Sequence, residues 1–245
     1  MGPLALTDLI GQDVNFAVTC SVFNAFWQDR RFLPSLLQQE LAIAGRLGKK
    51  SGHGVYRWPV EAQPELALAV VSAHCAAENI KRDVVTELDD VLLLETTGET
   101  ALALSVQHNR PVVVYDYVAG DTVVLASAAT NSQTATDKAV YFFQQQGKKV
   151  MRIADYPGLL VWRTVAMLAN EALDALQKGV ASAEDIDTAM RLGVNYPHGP
   201  IGWGESLGWG RVLRLLENLQ QHYGEERYRP SALLREKALL EMRHE

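Results

Sequence analysis

Residues 198–211, HGPIGWGESLGWGR, carry the same punctuation as residues 1–14, MGPLALTDLIGQDV: Gly2-Pro3 is answered by Gly199-Pro200 and Gly11 by Gly208, at a constant offset of 197. Further along, residues 29–35 (DRRFLPS) are answered by residues 225–231 (EERYRPS) at an offset of 196, so the later stretch has lost one residue in between. Glycine and proline recurring in register with an apolar pattern mark a duplicated structural unit. The later copy is preceded by two helical patterns, over about 158–178 and 183–192, whereas the earlier copy starts at its Gly-Pro. The first copy is therefore expected to be a truncated domain. The natural polypeptide is expected to extend upstream of Met1, which stands where the second copy has an internal His198.

Both outer segments read as helical. Gly2 and Pro3 open a short helix that stops near Gly11, and Asp13 is placed to cap a second one running to about Gln28. In that second helix Val14, Val18, Val22 and Ala25 form one apolar stripe and Phe16, Cys20, Phe23 and Trp27 another, which predicts a helix buried on two sides. Pro34 starts a third helix that ends before Gly45, and residues 45–54 (GRLGKKSGHG) make a loop with four glycines and three basic residues. After Pro157, Leu160, Met167, Leu168, Ala172 and Ala175 fall on one helical face, Gly179 ends that helix, Ser182 with Asp185 resembles a capping box, and Gly193 is a C-cap.

Between these segments the pattern changes. Residues 59–66 are a polar, proline-containing linker, after which β-rich runs at 91–94, 111–117, 122–125 and 150–153 alternate with helices near 99–108 and 135–146. Alternation of this kind predicts a small α/β layer with some parallel pairing. Asp83, Glu87, Asp89, Asp90 and Glu95 approach the first of these strands and read as a solvated edge, and Gly98 reads as a turn. The expected plan is thus mainly α: a truncated helical domain over 1–58, a linker over 59–66, an α/β segment over 67–155 and a second helical domain over 156–245.

With 48% hydrophobic and 21% charged residues, the 245-residue chain has an ordinary globular composition. A net charge of −6 leaves no basic face for nucleic acid, although Lys49 and Lys50 form a local cluster that suits a small phosphorylated ligand. No apolar window is long enough for a membrane span and the N-terminus does not read as a signal peptide, so a cytoplasmic location with no membrane partner is expected. Cys20 and Cys75 lie among apolar residues, without metal or redox spacing, and read as core thiols. The six histidines show no paired ligand spacing, and His198 reads as a partly exposed turn residue, so no metal site is expected. Trp162, Trp203 and Trp209 read as core or subunit interface, with interface favoured.

Four runs carry a family resemblance: residues 2–14 (GPLALTDLIGQDV), 45–58 (GRLGKKSGHGVYRW), 156–163 (YPGLLVWR) and 182–200 (SAEDIDTAMRLGVNYPHGP). They resemble the C-terminal domains of 3-hydroxyacyl-CoA dehydrogenases and cover both outer segments. Residues 131–158 (NSQTATDKAVYFFQQQGKKVMRIADYPG) are similar to the closing strand-helix-strand of that family's Rossmann domain. Two copies around a degenerate Rossmann-like insert look most like the bacterial 3-hydroxybutyryl-CoA and 3-hydroxyadipyl-CoA dehydrogenases of phenylacetate catabolism.

The resemblance implies oxidation of the 3-hydroxyl of an acyl-CoA to a ketone, with hydride passing to NAD on an N-terminal Rossmann domain that this chain lacks. A His polarised by a Glu takes the hydroxyl proton in that domain. Neither is found here: residues 111–125 contain no His and no Glu, and no G-x-G-x-x-G follows a predicted strand. No catalytic or cofactor-binding residue is therefore expected. The family's P-G-F-x-x-N-R motif is matched by Pro157 to Arg163 with Trp162 in place of the Asn, and an indole cannot accept a hydrogen bond as an amide oxygen does. Lys49 and Lys50 remain as candidates for a CoA phosphate, beside glycines that let the backbone approach an anion. The resemblance further implies a homo-oligomer or an internal pseudo-dimer of the two helical copies, with the acyl-CoA as partner. A rival expectation is a helical interaction module that keeps the scaffold and no chemistry.

Overall fold

The computed structural model describes residues 3–59, 85–118 and 120–243. Two compact units make up the chain: Met1–Leu68 with Glu225–Arg227, and Ala69–Gly224 with Tyr228–Glu245. The expected linker over 59–66 and the start of the α/β segment lie almost wholly outside the described residues.

In the first unit Pro3 occupies the opening position of helix α1 (Pro3–Ile10), where its missing N–H costs nothing. Gly11 has φ 115, a value that side-chain-bearing residues avoid, and turns the chain into α2 (Gln12–Ala25). Gly11 is thus the cap, and Asp13 lies inside the first turn rather than before it. The helix ends at Ala25, short of Gln28, because Trp27 and Gln28 take left-handed conformations (φ 53 and 62). A 3-10 turn, Arg30–Phe32, begins where the Asp29 carboxylate accepts the Arg31 N–H at 3.0 Å. Ser35 then precedes α3 (Leu36–Ile43), which packs on α2. The expectation that α2 is buried on two sides does not hold. Phe16, Cys20 and Phe23 are half-buried, but Val14, Val18 and Val22 are exposed, since α1 and α3 cover one side of the helix and leave this stripe in solvent.

In the second unit five strands form one mixed sheet in sequential order: β1 (Thr86–Leu88), β2 (Val91–Glu95), β3 (Val112–Tyr115), β4 (Thr122–Ser127) and β5 (Lys149–Arg152). Pairs β2/β3 and β4/β5 are parallel and need crossovers, supplied by helices α4 (Ala101–His108) and α5 (Gln133–Gln145); β1/β2 and β3/β4 are antiparallel. Period-two alternation sorts the side chains. Val91, Leu93, Val113, Tyr115, Val123 and Leu125 meet α5 on one face, and Leu92, Val112, Val114 and Ala126 meet α4 on the other. The three-residue β1 is unanticipated. Its Glu87 is exposed, and Asp89 and Asp90 in the following turn pair with Lys138, so this edge is solvated as expected. Glu95 departs from that expectation, for its side chain is 13% exposed and paired with Arg211 at 2.5 Å. Asp83 lies outside the described residues.

Helices α6 (Val161–Gln177), α7 (Ala183–Gly193), α8 (Pro200–Leu207), α9 (Trp209–Tyr223) and α10 (Ala232–Glu241) complete this unit. The buried face of α6 is Trp162, Val165, Ala166, Ala169, Ala172 and Leu173, sharing one core with α8, α9 and α10. Of the expected face only Ala172 is fully buried; Leu160 precedes the helix and is exposed, because the stripe is centred one position away. The Ser182 hydroxyl accepts the Asp185 N–H at 3.2 Å, opening α7 as its sequence suggests. Gly193 falls inside α7 and is followed by Val194 as C-cap. The sheet is tied to the helices by Asp116, beyond β3, whose carboxylate accepts the N–H groups of Leu160, Val161 and Trp162 at 2.7–2.8 Å. Burial pushes the Asp116 carboxyl above its ordinary range, against the pull of these hydrogen bonds.

The element order of the first unit recurs in the second. Helices α1 and α2, a 3-10 turn and α3 are matched by α8, α9, the turn Glu226–Tyr228 and α10. Gly208 between α8 and α9 has φ 93, as Gly11 has φ 115 between α1 and α2.

Candidate functional site

The loop over residues 45–58 is organised by a buried carboxylate. Asp8, in α1, is fully buried and accepts hydrogen bonds from the backbone N–H groups of Val55 (2.9 Å) and Tyr56 (2.8 Å), from Trp58 Nε1 (3.1 Å) and from Gln12 Nε2 (2.6 Å). Burial pushes this carboxyl up, and the donors of Tyr56, Gln12, Val55 and Trp58 outweigh it, holding the group below the ordinary carboxylate range. Gly54 must be glycine for this contact, since a Cβ there would stand 2.1 Å from Asp8 Oδ1. The Gly54 carbonyl in turn accepts Arg46 Nη2 at 2.8 Å.

Lys49 and Lys50 lie on the outside of this stapled loop, in a 3-10 turn over Lys49–Ser51. Both are exposed. Lys50 Nζ is held by the Asp13 carboxylate at 2.6 Å, and its hydrogen bond holds Asp13 below the ordinary range. Lys49 Nζ stands 6.0 Å over the Trp58 ring, a cation-π contact that leaves its donors facing water.

A different cluster occupies the second unit, where sheet and helices meet. Trp162 is 2% exposed, and the Arg211 guanidinium lies 5.5 Å over its ring while pairing with Glu95. The side chain at the motif's Asn position is thus a core element that presents no polar atom to a ligand. Trp203 and Trp209 are buried in the same core, so the three tryptophans form the interior of the unit rather than an interface. The next motif residue, Arg163, is sandwiched by Tyr223 and Tyr228. His198 is partly exposed, its ring 5.7 Å from that of Trp203.

Beside this cluster a cavity of about 310 Å³ is lined by Gly98, Glu99, Thr100, Ala103, Asn218, Gln221 and His222. Gly98 is more than a turn residue. Its φ is 95 and a Cβ would stand 2.6 Å from the Leu215 carbonyl oxygen, so backbone packs directly on α9. Sequence gives little sign of this cavity, whose two walls are more than a hundred residues apart.

Where a dinucleotide would need free amides at a helix N-terminus after a strand, α4 offers none. The Asp155 carboxylate accepts the N–H groups of Ala101 (2.8 Å) and Leu102 (2.9 Å), and Thr100 Oγ1 accepts that of Ala103. At the start of α5 the Ser132 hydroxyl accepts the Ala135 N–H. Tyr115 and Leu125, paired across β3 and β4, are both buried and make that stretch apolar. Helix α4 therefore offers a dinucleotide phosphate no free N-terminal amide. Among the described residues no three His, Cys, Asp or Glu side chains gather as for a metal ion, and no helix is long and apolar enough to cross a membrane. Cys20 is a half-buried free thiol, and Cys75 lies outside the described residues.

Residues 1–58 and 158–242, more than half of the chain, match the family model described as 3-hydroxyacyl-CoA dehydrogenase, C-terminal domain. The chain belongs to the 3-hydroxyacyl-CoA dehydrogenase family. Residues 93–157 match the family model described as 3-hydroxybutyryl-CoA dehydrogenase reduced Rossmann-fold domain, in agreement with a sheet that keeps its parallel crossovers. Among relatives of this dehydrogenase family, the 3-hydroxyadipyl-CoA dehydrogenase of Escherichia coli (strain K12) is 68% identical over 100% of this chain and 52% of its own length. A probable 3-hydroxybutyryl-CoA dehydrogenase of Bacillus subtilis is 29% identical over 66% of this chain and 54% of its own. The crystal structure of 3-hydroxybutyryl-CoA dehydrogenase from Escherichia coli K12 superposes with a TM-score of 0.90 over 100% of this chain and 52% of that one. The chain thus spans about half the length of the relatives it matches.

Proposed function

We propose that this chain is the C-terminal part of an NAD-dependent 3-hydroxyacyl-CoA dehydrogenase that oxidises 3-hydroxybutyryl-CoA or 3-hydroxyadipyl-CoA to the 3-oxoacyl-CoA. The observation that carries this is the 68% identity running through the whole chain to a dehydrogenase of which it forms one half. NAD belongs, on this proposal, to the N-terminal domain of the parent enzyme, and no residue of this chain is assigned to hydride or proton transfer. The part contributed here is closure of the acyl-CoA cleft and assembly, as a homo-oligomer or as an internal pseudo-dimer of two copies of one helical domain. One family model matching both outer segments, and one element order recurring in both, support the two-copy organisation. A cytoplasmic setting follows from the same proposal.

Within this scheme Lys49 and Lys50 contact the phosphates of CoA. Asp8 does not touch the ligand; it fixes the loop that presents them. Lys49 is available as it stands, whereas Lys50 must exchange Asp13 for a phosphate. In the parent enzyme Lys49→Ala is expected to raise KM for the acyl-CoA several-fold with little change in kcat, which steady-state kinetics will read; an unchanged KM removes Lys49 from the site.

A second function has a specific observation in its favour: burial of Trp162 under Arg211 makes the second copy a packing element, as in a non-catalytic assembly module. Incubating the natural polypeptide with NAD and either substrate separates the two. Equal amounts of NADH and 3-oxoacyl-CoA are expected, and absence of both products with every 3-hydroxyacyl-CoA would leave the assembly module.

A further inference from the structure

Tryptophan rings under cations occur in both units, and they are built differently. In the second unit Arg211 lies 5.5 Å over Trp162 and Lys237 lies 5.2 Å over Trp209. Both of those rings are core, 2% and 6% exposed, and each cation is also held by a glutamate, Glu95 or Glu205. In the first unit Lys49 Nζ stands 6.0 Å over Trp58, whose ring is half-buried, and the ammonium has no carboxylate partner among the described residues. The ring is nonetheless fixed, because its Nε1 donates to the buried Asp8 carboxylate at 3.1 Å. Asp8 is particular to this copy. At the repeat offset of 197 it answers to Glu205, which is exposed and pairs with Lys237. A buried acceptor thus helps to hold one tryptophan at the surface, beneath an unpaired ammonium.

Resting on the reading that Lys49 and Lys50 contact the phosphates of CoA, we propose that Trp58 is the surface on which the adenine ring of that CoA stacks, between the indole and the Lys49 ammonium. The spacing admits it. Two stacked contacts of about 3.5 Å each need about 7 Å, so Lys49 Nζ has to withdraw by only about 1 Å from where it stands. Stacking on an aromatic side chain accepts any base, so the charges around the ring decide which ligand is taken. Those charges are positive: Arg46, Lys49, Lys50 and Arg57 fall within residues 46–57 of a chain whose net charge is −6. CoA and NAD both carry adenine, and CoA adds a 3′-phosphate on the ribose. An excess of cations favours the more highly charged of the two, which assigns the site to CoA.

The probe is adenosine 3′,5′-bisphosphate, titrated into the 245-residue chain and followed by tryptophan fluorescence and by calorimetry. Saturable one-to-one binding with quenching of Trp58 is expected. Trp58→Phe should remove the quench and keep the binding, since a phenyl ring still stacks, whereas Trp58→Leu or Lys49→Gln should weaken binding about tenfold. Lys149→Gln, an exposed control in the second unit, should change nothing. Absence of saturable binding, a quench that survives in Trp58→Phe, or equal affinity for NAD overturns the proposal. A merely structural role for Trp58 is separated in the natural polypeptide by two substrates. Trp58→Leu should raise KM for 3-hydroxybutyryl-CoA about tenfold and leave KM for 3-hydroxybutyryl-pantetheine, which lacks the nucleotide, unchanged. An equal rise for both makes Trp58 a scaffold residue and also overturns it. Catalysis is read separately. Bisphosphate binding at Trp58 without NADH formation by the natural polypeptide would sink the dehydrogenase reading and leave an adenine-nucleotide site, and NADH formation with KM unaltered by Trp58→Leu would do the reverse.

Discussion

Asp8 and Asp116 are buried carboxylates that hold backbone in place, and each does so with donors far away in sequence. Tyr56 is 48 residues from Asp8, and Leu160 is 44 from Asp116. Removing such an acceptor strands several buried N–H groups, so Asp8→Ala is expected to cost about 3 kcal/mol in urea denaturation of the chain. The sign of the pH effect follows from its depressed pKa. The stabilisation is complete above the unfolded value of about 4 and is lost as pH falls through the lower folded value. Acid titration of stability should therefore steepen below about pH 4 in the parent chain and flatten in Asp8→Asn. Gly98→Ala should cost about 2 to 4 kcal/mol, combining a left-handed φ with the close Leu215 carbonyl, while leaving Gly147→Ala, whose Cβ meets nothing, far milder. Neither carboxylate was singled out from the sequence, because a lone aspartate reveals its role only when the N–H groups it serves are known in space.

At the scale of elements, most helices and strands were legible in the periodicity. Glycine and proline punctuation marked α1, α8 and the turns between copies, because these residues are required by the backbone itself. Strand β1 was not legible, being three residues long and carrying Glu87 toward solvent. The exposure of Val14, Val18 and Val22 on α2 has a related reason: an apolar stripe says that a face seeks cover, not that the cover is present. The burial of Glu95 is not legible locally, since its partner Arg211 is 116 residues away. Trp162→Asn tests α6. It should not create dehydrogenase activity in this chain, and it should cost about 3 to 5 kcal/mol by emptying a core site and stranding Arg211 without its ring. Hydride transfer by that variant, followed as NADH, would contradict the assignment of Trp162 to packing.

For the whole molecule, family membership rests on both outer segments and the reduced Rossmann-fold segment together, and the sequence carried most of it in four short motifs. The candidate site was less legible. Lys49 and Lys50 were visible as a basic cluster among glycines, but the Asp13 pair on Lys50 and the Trp58 contact of Lys49 were not, since they depend on how the loop folds back. Among the described residues of the second unit, helix α4 spends its N-terminal amides on Asp155 and Thr100, and Tyr115 and Leu125 make a buried apolar stretch of sheet. The proposal that this chain is the C-terminal part of a dehydrogenase puts catalysis in the other part of that enzyme. The most direct measurement is NADH formation from 3-hydroxybutyryl-CoA by the purified 245-residue chain beside that of the natural polypeptide. Turnover by the natural polypeptide and none by the chain is expected, and comparable turnover by the chain alone would contradict the proposed division of labour.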